Sequence, residues 1–163
     1  MAFILAKQRE VDCRAAFARY EAYLAEQKAR FPKKAYALAT SNWYFSFDDQ
    51  RAPHDARLRS VTLTDAEPAE KDGLLQSSIR VSLFGAQSDV VIEFTYSGVI
   101  AYSLSASMVL QGHCDWRYDE FRLSATGNLI HQIEWWGASQ TANWTIEASD
   151  VEHTWRRIAH RKQ

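Results

Sequence analysis

A stretch of alternating aromatic and polar residues, 112–150, places the strongest constraint on the fold of this chain. The thirty residues 123–152 contain no Lys or Arg, and the stretch 112–150 as a whole is rich in aromatic residues, Asp and Glu. Apolar side chains recur at every second position in segments 116–123, 129–136 and 143–149, which is the period of half-buried strands. Gly127 suits the positive φ of a turn between the first two segments. The stretch therefore predicts three consecutive β-strands rich in aromatic and acidic side chains.

An amphipathic helix is predicted over residues 9–31. Phe17, Tyr20 and Leu24 recur at three- and four-residue steps, which places them on one helical face. Pro32 disfavours helical backbone at the residue before it and so marks the end of the helix. We expect a helix of this length to lie across one face of a sheet.

Five further strands are predicted between residues 40 and 105, where the apolar period is two. These strands are 43–47, 57–64, 78–84, 89–96 and 99–105. In the first, Trp43, Phe45 and Phe47 are expected to face inward. In the second, Val61 and Leu63 are expected to face inward. Polar loops are predicted at 48–55 and 65–73, where Pro, Gly and charged residues cluster.

The order of these elements predicts an α+β fold. One N-terminal amphipathic helix precedes about eight strands without βαβ alternation, so the sheet is expected to be mainly antiparallel. A tight hairpin is predicted at Ser97-Gly98. The 163 residues suit a single domain, 1–163, with a helix at 9–31, a β-rich body at 40–149 and a basic C-terminal tail at 150–163. Within that tail, residues 150–157 fit either a short helix or an extended segment.

The charge of the chain is unevenly distributed. Residues 1–40 carry +4, residues 41–152 carry −9 and residues 153–163 carry +4, for a net charge of −1. An acidic body framed by basic ends favours a partner selected by electrostatic attraction. Alternatively, the ends pack on the body and cancel its field. The acidic body makes nucleic acid an unfavourable partner.

The sequence predicts a cytoplasmic protein that does not bind membranes. No apolar run approaches the roughly 18 residues of a membrane helix, and the first residues lack the basic region of a signal peptide. Cys13 and Cys114 are the two cysteines, far apart in the chain. We expect them to be reduced.

Asp119, Glu120 and His131 are the candidates for acid–base chemistry. Adjacent strand residues point to opposite faces, so Asp119 and Glu120 cannot flank one substrate. His131 shares an apolar face with Leu129 and Ile133, and it is placed to pair with Asp119 across the hairpin. Such a pair is either a buried structural contact or the base of a small acid–base site.

The sequence lacks the usual signatures of metal and cofactor sites. His113-Cys114-Asp115 does not have the paired ligand spacing of zinc sites. Asp115 is expected to raise the pKa of the Cys114 thiol, which opposes its use as a nucleophile. Gly-rich phosphate loops and serine nucleophile elbows are also missing. We therefore expect no metal, no cofactor and no catalytic residue.

Six tryptophans exceed what one small core usually needs. Trp135 and Trp136 face opposite ways on their strand, so at least one is expected to approach the surface. Trp and Tyr beside carboxylates are typical of protein interfaces. The predicted partner-binding residues are Asp115, Trp116, Asp119, Glu120, Glu134, Trp136, Glu147 and Asp150. In the alternative arrangement, a second helix or the N-terminal segment covers this face.

Segments 115–124, 127–135 and 144–150 (DWRYDEFRLS, GNLIHQIEW and WTIEASD) resemble a group of small bacterial proteins. These are the immunity-type proteins encoded beside polymorphic or contact-dependent toxins. The resemblance covers about the last half of the chain. It implies a non-catalytic, stoichiometric inhibitor that binds a toxin domain and blocks its active site. Because nuclease toxins are often basic, an acidic face would supply steering and specificity.

Two other functions stay open at the level of sequence. The first is a small hydrolase or nucleic-acid-processing enzyme that uses Asp119 and His131. The second is a homo-oligomeric structural module, in which exposed aromatic side chains bury against another copy of the chain.

Overall fold

The computed structural model describes residues 2–66, 76–106, 109, 112–137 and 140–158. Over these residues, three helices accompany one antiparallel sheet of eight strands, which confirms the predicted α+β class. The helices are α1 (Ala6–Val11), α2 (Cys13–Gln27) and α3 (Lys33–Ala39). The strands are β1 (Arg57–Asp65), β2 (Ser77–Phe84), β3 (Val90–Val99), β4 (Ala101–Leu104), β5 (Asp115–Leu123), β6 (Leu129–Gly137), β7 (Gln140–Ala148) and β8 (Asp150–Arg157).

The single helix predicted over 9–31 is wrong in its bounds. The backbone of Asp12 is extended, with φ −159° and ψ 103°, and this residue ends α1. Its Oδ1 accepts the Ala15 N–H at 3.0 Å and so caps the start of α2. The helix α3, which begins directly after Pro32, was not predicted. None of the helices in the described ranges is long and apolar enough to span a membrane.

The strand predicted at 43–47 is wrong, because these residues form turns. Tyr44, assigned to the outer face by the alternating pattern, is 1% exposed, whereas Phe47, assigned to the inner face, is 65% exposed. The physical reason is that the Tyr44 side chain reaches a buried carboxylate on β5 and pulls this segment into the interior.

The other strand predictions are mostly confirmed. The three strands predicted in 112–150 correspond to β5, β6 and β7, and the segments at 57–64, 78–84 and 89–96 correspond to β1, β2 and β3. Residues 150–157, which fitted a helix or an extended tail, form the strand β8. The loop predicted at 65–73 and the end of the basic tail fall largely on residues 67–75 and 159–163, outside the described ranges.

The ends of the sheet are brought together where β3 bends into β4 and β7 bends into β8. The strand order is β4-β7-β6-β5-β1-β2-β3-β8. Ile100 is the single residue between β3 and β4, and Ser149 is the single residue between β7 and β8. Since β3 pairs with β8 and β4 pairs with β7, one bent two-stranded ribbon forms both ends of the sheet. The hairpin predicted at Ser97-Gly98 is therefore wrong, because the chain bends there and passes to a different partner strand.

Beside β5, side chains of α2 replace a neighbouring strand. In the described chain, the ladder between β1 and β5 is limited to Arg57 and Asp115, so most of one edge of β5 has no strand beside it. The Tyr20 hydroxyl accepts the Phe121 N–H at 2.7 Å and donates to the Phe121 carbonyl at 3.1 Å. The Tyr23 hydroxyl accepts the Leu123 N–H at 2.8 Å. Two tyrosines on successive turns of one helix thus satisfy the backbone groups of an open edge.

Aromatic rings fill the space enclosed by the curled sheet. Phe94 of β3 stacks on Trp116 of β5 with ring centroids 5.1 Å apart, and Phe121 stacks on His131 at 4.0 Å. Trp135 is fully buried, whereas Trp136 is 54% exposed, which confirms that these neighbours face opposite ways. By contrast, Val61 is only partly buried and Leu63 is exposed, so the inward placement predicted for both residues of β1 is wrong for Leu63.

The bend of the ribbon predicts a strong requirement for glycine at position 98. Gly98 has φ +58°, and a Cβ added there would collide with the Ser149 hydroxyl, whereas Gly127 has φ +88° with open space around it. Gly127→Ala reports only the cost of the backbone conformation, about 1 to 2 kcal/mol. We expect Gly98→Ala to lower the free energy of unfolding by more than Gly127→Ala does. Adding Ser149→Gly to the Gly98→Ala protein should recover part of this extra loss. Urea denaturation of the three variants checks this, and equal losses for both alanine substitutions would contradict it.

A buried polar network and an exposed acid–aromatic patch

Asp119 of β5 lies at the centre of a buried polar network made of Tyr44, Tyr96, Trp116, Asp119 and His131. The Tyr44 hydroxyl donates to Asp119 Oδ2 at 2.8 Å, and the Trp116 indole N–H donates to Oδ1 at 2.9 Å. His131 Nε2 lies 2.8 Å from Oδ2, and its Nδ1 lies 2.7 Å from the Tyr96 hydroxyl. All five side chains are at most 2% exposed. The predicted pairing of Asp119 with His131 is therefore confirmed as a buried contact.

The network is satisfied by one consistent set of donors and acceptors. In the Nε2-protonated tautomer, His131 donates to Asp119 and its Nδ1 accepts from the Tyr96 O–H. Burial raises the pKa of the Tyr44 and Tyr96 phenols well above the ordinary value, so both hydroxyls remain donors at neutral pH. Each polar atom of the pair thus has an internal partner.

This network is almost completely enclosed. The cavity beside Asp119 has a volume of about 10 Å³, which is near the minimum for a single water molecule. Glu120 points to the opposite face of β5 and does not join the pair. Trp116 and Asp119, which were predicted to contact a partner, instead stabilise the interior.

Removing the central carboxylate should destabilise the fold strongly. We expect Asp119→Ala to lower the free energy of unfolding by about 3 to 5 kcal/mol, because three buried polar groups lose their partner. Asp115→Ala, an exposed position on the same strand, should change it by less than about 0.5 kcal/mol. Urea denaturation followed by tryptophan fluorescence gives both values. Similar small losses at the two positions would contradict this role for Asp119.

The N-terminal segment covers two of the predicted binding carboxylates. Glu120 Oε2 accepts the N–H groups of Phe3 and Ile4 at 2.7 and 2.8 Å. Glu134 Oε2 accepts the Ala6 N–H at 2.7 Å, and its Oε1 pairs with the Arg9 guanidinium at 2.8 Å. Both carboxylates are buried, so the prediction that they contact a partner is wrong for this conformation. The alternative arrangement, in which the N-terminal segment covers this face, is the one observed.

Two other predicted binding residues are occupied by contacts within the chain. Asp150 Oδ1 accepts the Ala35 N–H at 3.0 Å at the start of α3. Glu147 Oε1 accepts from the Asn128 side chain at 3.1 Å. Both carboxylates are half-buried. Of the eight predicted residues, Asp115 and Trp136 are therefore the two that are exposed.

Asp115 and Trp136 belong to an exposed acid–aromatic patch that also includes Phe47, Asp48 and Asp55. Asp115 and Trp136 are cross-strand neighbours on β5 and β6, so their side chains lie on the same face. Asp55 pairs with the His54 ring at 3.1 Å, and that ring contacts Phe47 with centroids 4.1 Å apart. Asp48 lines the same surface depression as Phe47. Contacts thus run from Phe47 through His54 to Asp55, and the Asp55 carboxylate lies close enough to Asp115 to act on its charge.

The electrostatics of this patch are those of closely spaced carboxylates. Partial burial and the nearby Asp55 carboxylate raise the pKa of Asp115, while Arg57 opposes the rise. Arg117 lies 3.9 Å from Asp55 at the border of the patch. Three aspartates against two bordering arginines leave the patch acidic, and an incoming Lys or Arg would relieve the repulsion between Asp55 and Asp115.

A groove beside α2 does not bring together residues typical of catalysis. It has a volume of about 420 Å³ and lies between α2 and residues 36–45. Its one strongly perturbed group is Tyr20, whose hydroxyl is already bonded to Phe121. Burial raises the pKa of the Cys114 thiol and Asp115 adds to the rise, as predicted. The described residues bring together no group of three His, Cys, Asp or Glu side chains that could hold a metal ion.

Three partly buried histidines predict acid sensitivity of the fold. Burial lowers the pKa of His54, His113 and His153 below the ordinary 6.5. The unfolded chain therefore binds protons more readily, and the free energy of unfolding should decrease as pH falls from about 7 to 5.5. His153→Asn should flatten this dependence by removing the most enclosed of these three imidazoles. Urea titrations across this range check it, and a stability that rises on acidification would contradict it.

A scan against protein-family models, a search of curated proteins and a search of solved structures each returned no match to this chain. The chemistry of its own side chains therefore carries the functional assignment.

Sequence reasoning placed Asp48 and Asp55 in a polar loop without including them among the partner-binding residues, and it assigned Phe47 to the inner face. Three aspartates within the polar loop 48–55 were the available signal for an acidic surface. Tyr44 and Tyr96 were missed as partners of the buried pair, because nothing local in the sequence connects them to β5.

Proposed function

We propose that the protein is a non-catalytic binding protein of the immunity type, which neutralises a basic toxin domain through the acid–aromatic patch. The observation that carries this proposal is the exposure of Phe47 and Trp136 beside Asp48, Asp55 and Asp115. Aromatic rings anchor protein interfaces, and carboxylates around them attract Lys and Arg of a partner. The proposed binding surface is this patch. It does not include Glu120 and Glu134, which the N-terminal segment covers.

The sequence resemblance supports the class of partner. Segments 115–124, 127–135 and 144–150 are similar to immunity-type proteins, and Asp115 of the patch lies within the first of them. Such a protein would act in the bacterial cytoplasm as a stoichiometric inhibitor. Catalysis by Asp119 and His131 is the weaker candidate, since their polar atoms are occupied by internal partners.

The proposal predicts binding that depends on the patch and weakens with salt. Tagged protein should capture one stoichiometric basic partner from its native host at low salt. Asp115→Lys should weaken that complex at least about tenfold, because attraction becomes repulsion, and Trp136→Ala should do so by removing an anchor. Calorimetry with the purified partner measures both effects, and an assay of the partner's toxicity tests neutralisation.

Two matched variants distinguish a loss of the patch from a change in net charge or the loss of any exposed tryptophan. Glu26→Lys changes an exposed carboxylate on α2, and Trp155→Ala removes an exposed tryptophan on β8. Both should bind the partner like the wild type, and circular dichroism should report the same fold for all four variants. Unchanged affinity for Asp115→Lys and Trp136→Ala would overturn the proposed surface. A partner whose toxicity persists when bound would overturn the proposed inhibition.

A further inference from the structure

The side chain of Arg9 on α1 occupies a well-defined site against β5 and β6. Its Nη2 lies 2.8 Å from Glu134 Oε1, and its Nη1 donates to the Ile4 carbonyl at 2.8 Å. The guanidinium carbon lies 3.8 Å from the centre of the Tyr118 ring. A carboxylate at the edge of the guanidinium plane and an aromatic ring against its face are typical contacts in arginine recognition.

This arginine site, formed by Ile4, Tyr118 and Glu134, adjoins the acid–aromatic patch. Tyr118 and Glu134 are opposite each other on β5 and β6, and Glu134 lies two residues before Trp136. The site and the exposed tryptophan therefore share one face of the sheet. The Tyr118 ring also contacts the His54 ring, with centroids 5.4 Å apart, and His54 pairs with Asp55. A group bound to the patch is therefore within reach of the arginine site.

Arg9 can leave this site while the rest of the N-terminal segment stays in place. The helix α1 has six residues and buries none of them. Phe3 and Ile4 are held separately, through backbone N–H groups bound to a different carboxylate. The Ala6 N–H occupies Glu134 Oε2, so only Oε1 loses its partner when Arg9 withdraws. Rotation of one side chain is enough for that exchange.

We propose that the arginine site is a subsite of the acid–aromatic patch, and that an arginine of the bound partner replaces Arg9 there. The occupant follows from the contacts already made, because a second guanidinium can repeat each of them with Glu134, Tyr118 and Ile4. A lysine cannot, since its ammonium lacks the plane that stacks on the ring. The role of the site in binding a partner rests on the proposed function, whereas its preference for arginine does not.

Arg9 is then an internal competitor for the partner. As long as it occupies the site, the apparent affinity for an added arginine is reduced by the fraction of molecules in which the site is free. Arg9 therefore selects partners that place an arginine in the subsite and also contact the patch, since a lone arginine gains little by the exchange.

Removal of Arg9 should open the site to an added arginine derivative. We expect the Arg9→Ala protein to bind N-acetyl-arginine methylamide in the millimolar range, and the wild type to bind it at least about tenfold more weakly. The corresponding lysine derivative should also bind more weakly, because it cannot stack on Tyr118. Titration followed by nuclear magnetic resonance, with the indole N–H signal of Trp136 as a nearby reporter, measures these affinities.

Two further variants make this titration decisive. Adding Glu134→Gln to Arg9→Ala should abolish binding, because it removes the charge and keeps an acceptor for the Ala6 N–H. Arg14→Ala removes an exposed arginine of α2 and should behave like the wild type. Equal binding by the wild type and Arg9→Ala would overturn the proposal, as would binding that survives Glu134→Gln. An Arg9→Ala protein that does not fold would also overturn it, because Arg9 could then not leave.

The captured partner tests the exchange itself. Arg9→Ala should tighten the complex about tenfold by removing the competitor, and Glu134→Gln should cancel that gain. Calorimetry measures both changes. An affinity that Arg9→Ala leaves unchanged would overturn the exchange, even where the patch variants weaken binding as proposed. Failure to capture any partner would count against the proposed function, whereas binding of the arginine derivative would still support the arginine site.

Discussion

The packing of the sheet interior depends on the hydrogen bonds that replace water around the buried Asp119 carboxylate. A carboxylate in an aromatic interior is strongly unfavourable unless hydrogen bonds replace its water. Here the donors come from Tyr44, Trp116 and His131, which belong to an irregular segment and two strands. His131 in turn engages Tyr96 on the opposite half of the curled sheet. One buried charge thus fixes the register of β5 on β6 and the position of the segment around Tyr44, which carries the loop 48–55 of the acid–aromatic patch.

The buried carboxylates of residues 41–152 stabilise the fold, whereas the exposed ones are accessible to a partner. Asp119 stabilises the interior, and Glu120 and Glu134 bind the N-terminal segment. Asp55 and Asp115, which remain exposed, lie on a turn and at the end of a strand. The number of acidic residues therefore indicates less about binding than their positions in the fold do, because several carboxylates make contacts within the chain.

The periodicity of apolar residues in the sequence predicted most of the strands correctly. The alternation in 112–150 predicted three strands, the opposite orientations of Trp135 and Trp136, and the pairing of Asp119 with His131. The same rule failed at 43–47, because alternation in an aromatic segment also fits turns whose Tyr44 is held by a carboxylate 75 residues away. It also failed for Glu120 and Glu134, whose cover lies more than a hundred residues earlier. Partners at such separations leave no periodic signal in the sequence.

The contacts of the N-terminal segment set an order of events during synthesis. The amides of Phe3 and Ile4 bind a side chain that follows them by 117 and 116 residues, and Ala6 binds one that follows by 128 residues. The ribosome therefore releases these residues long before their acceptors exist. Until Glu134 has emerged, the nascent chain exposes an apolar leading segment that includes Phe3 and Ile4. The contacts that cover Glu120 and Glu134 can therefore form only after β6 has been synthesised.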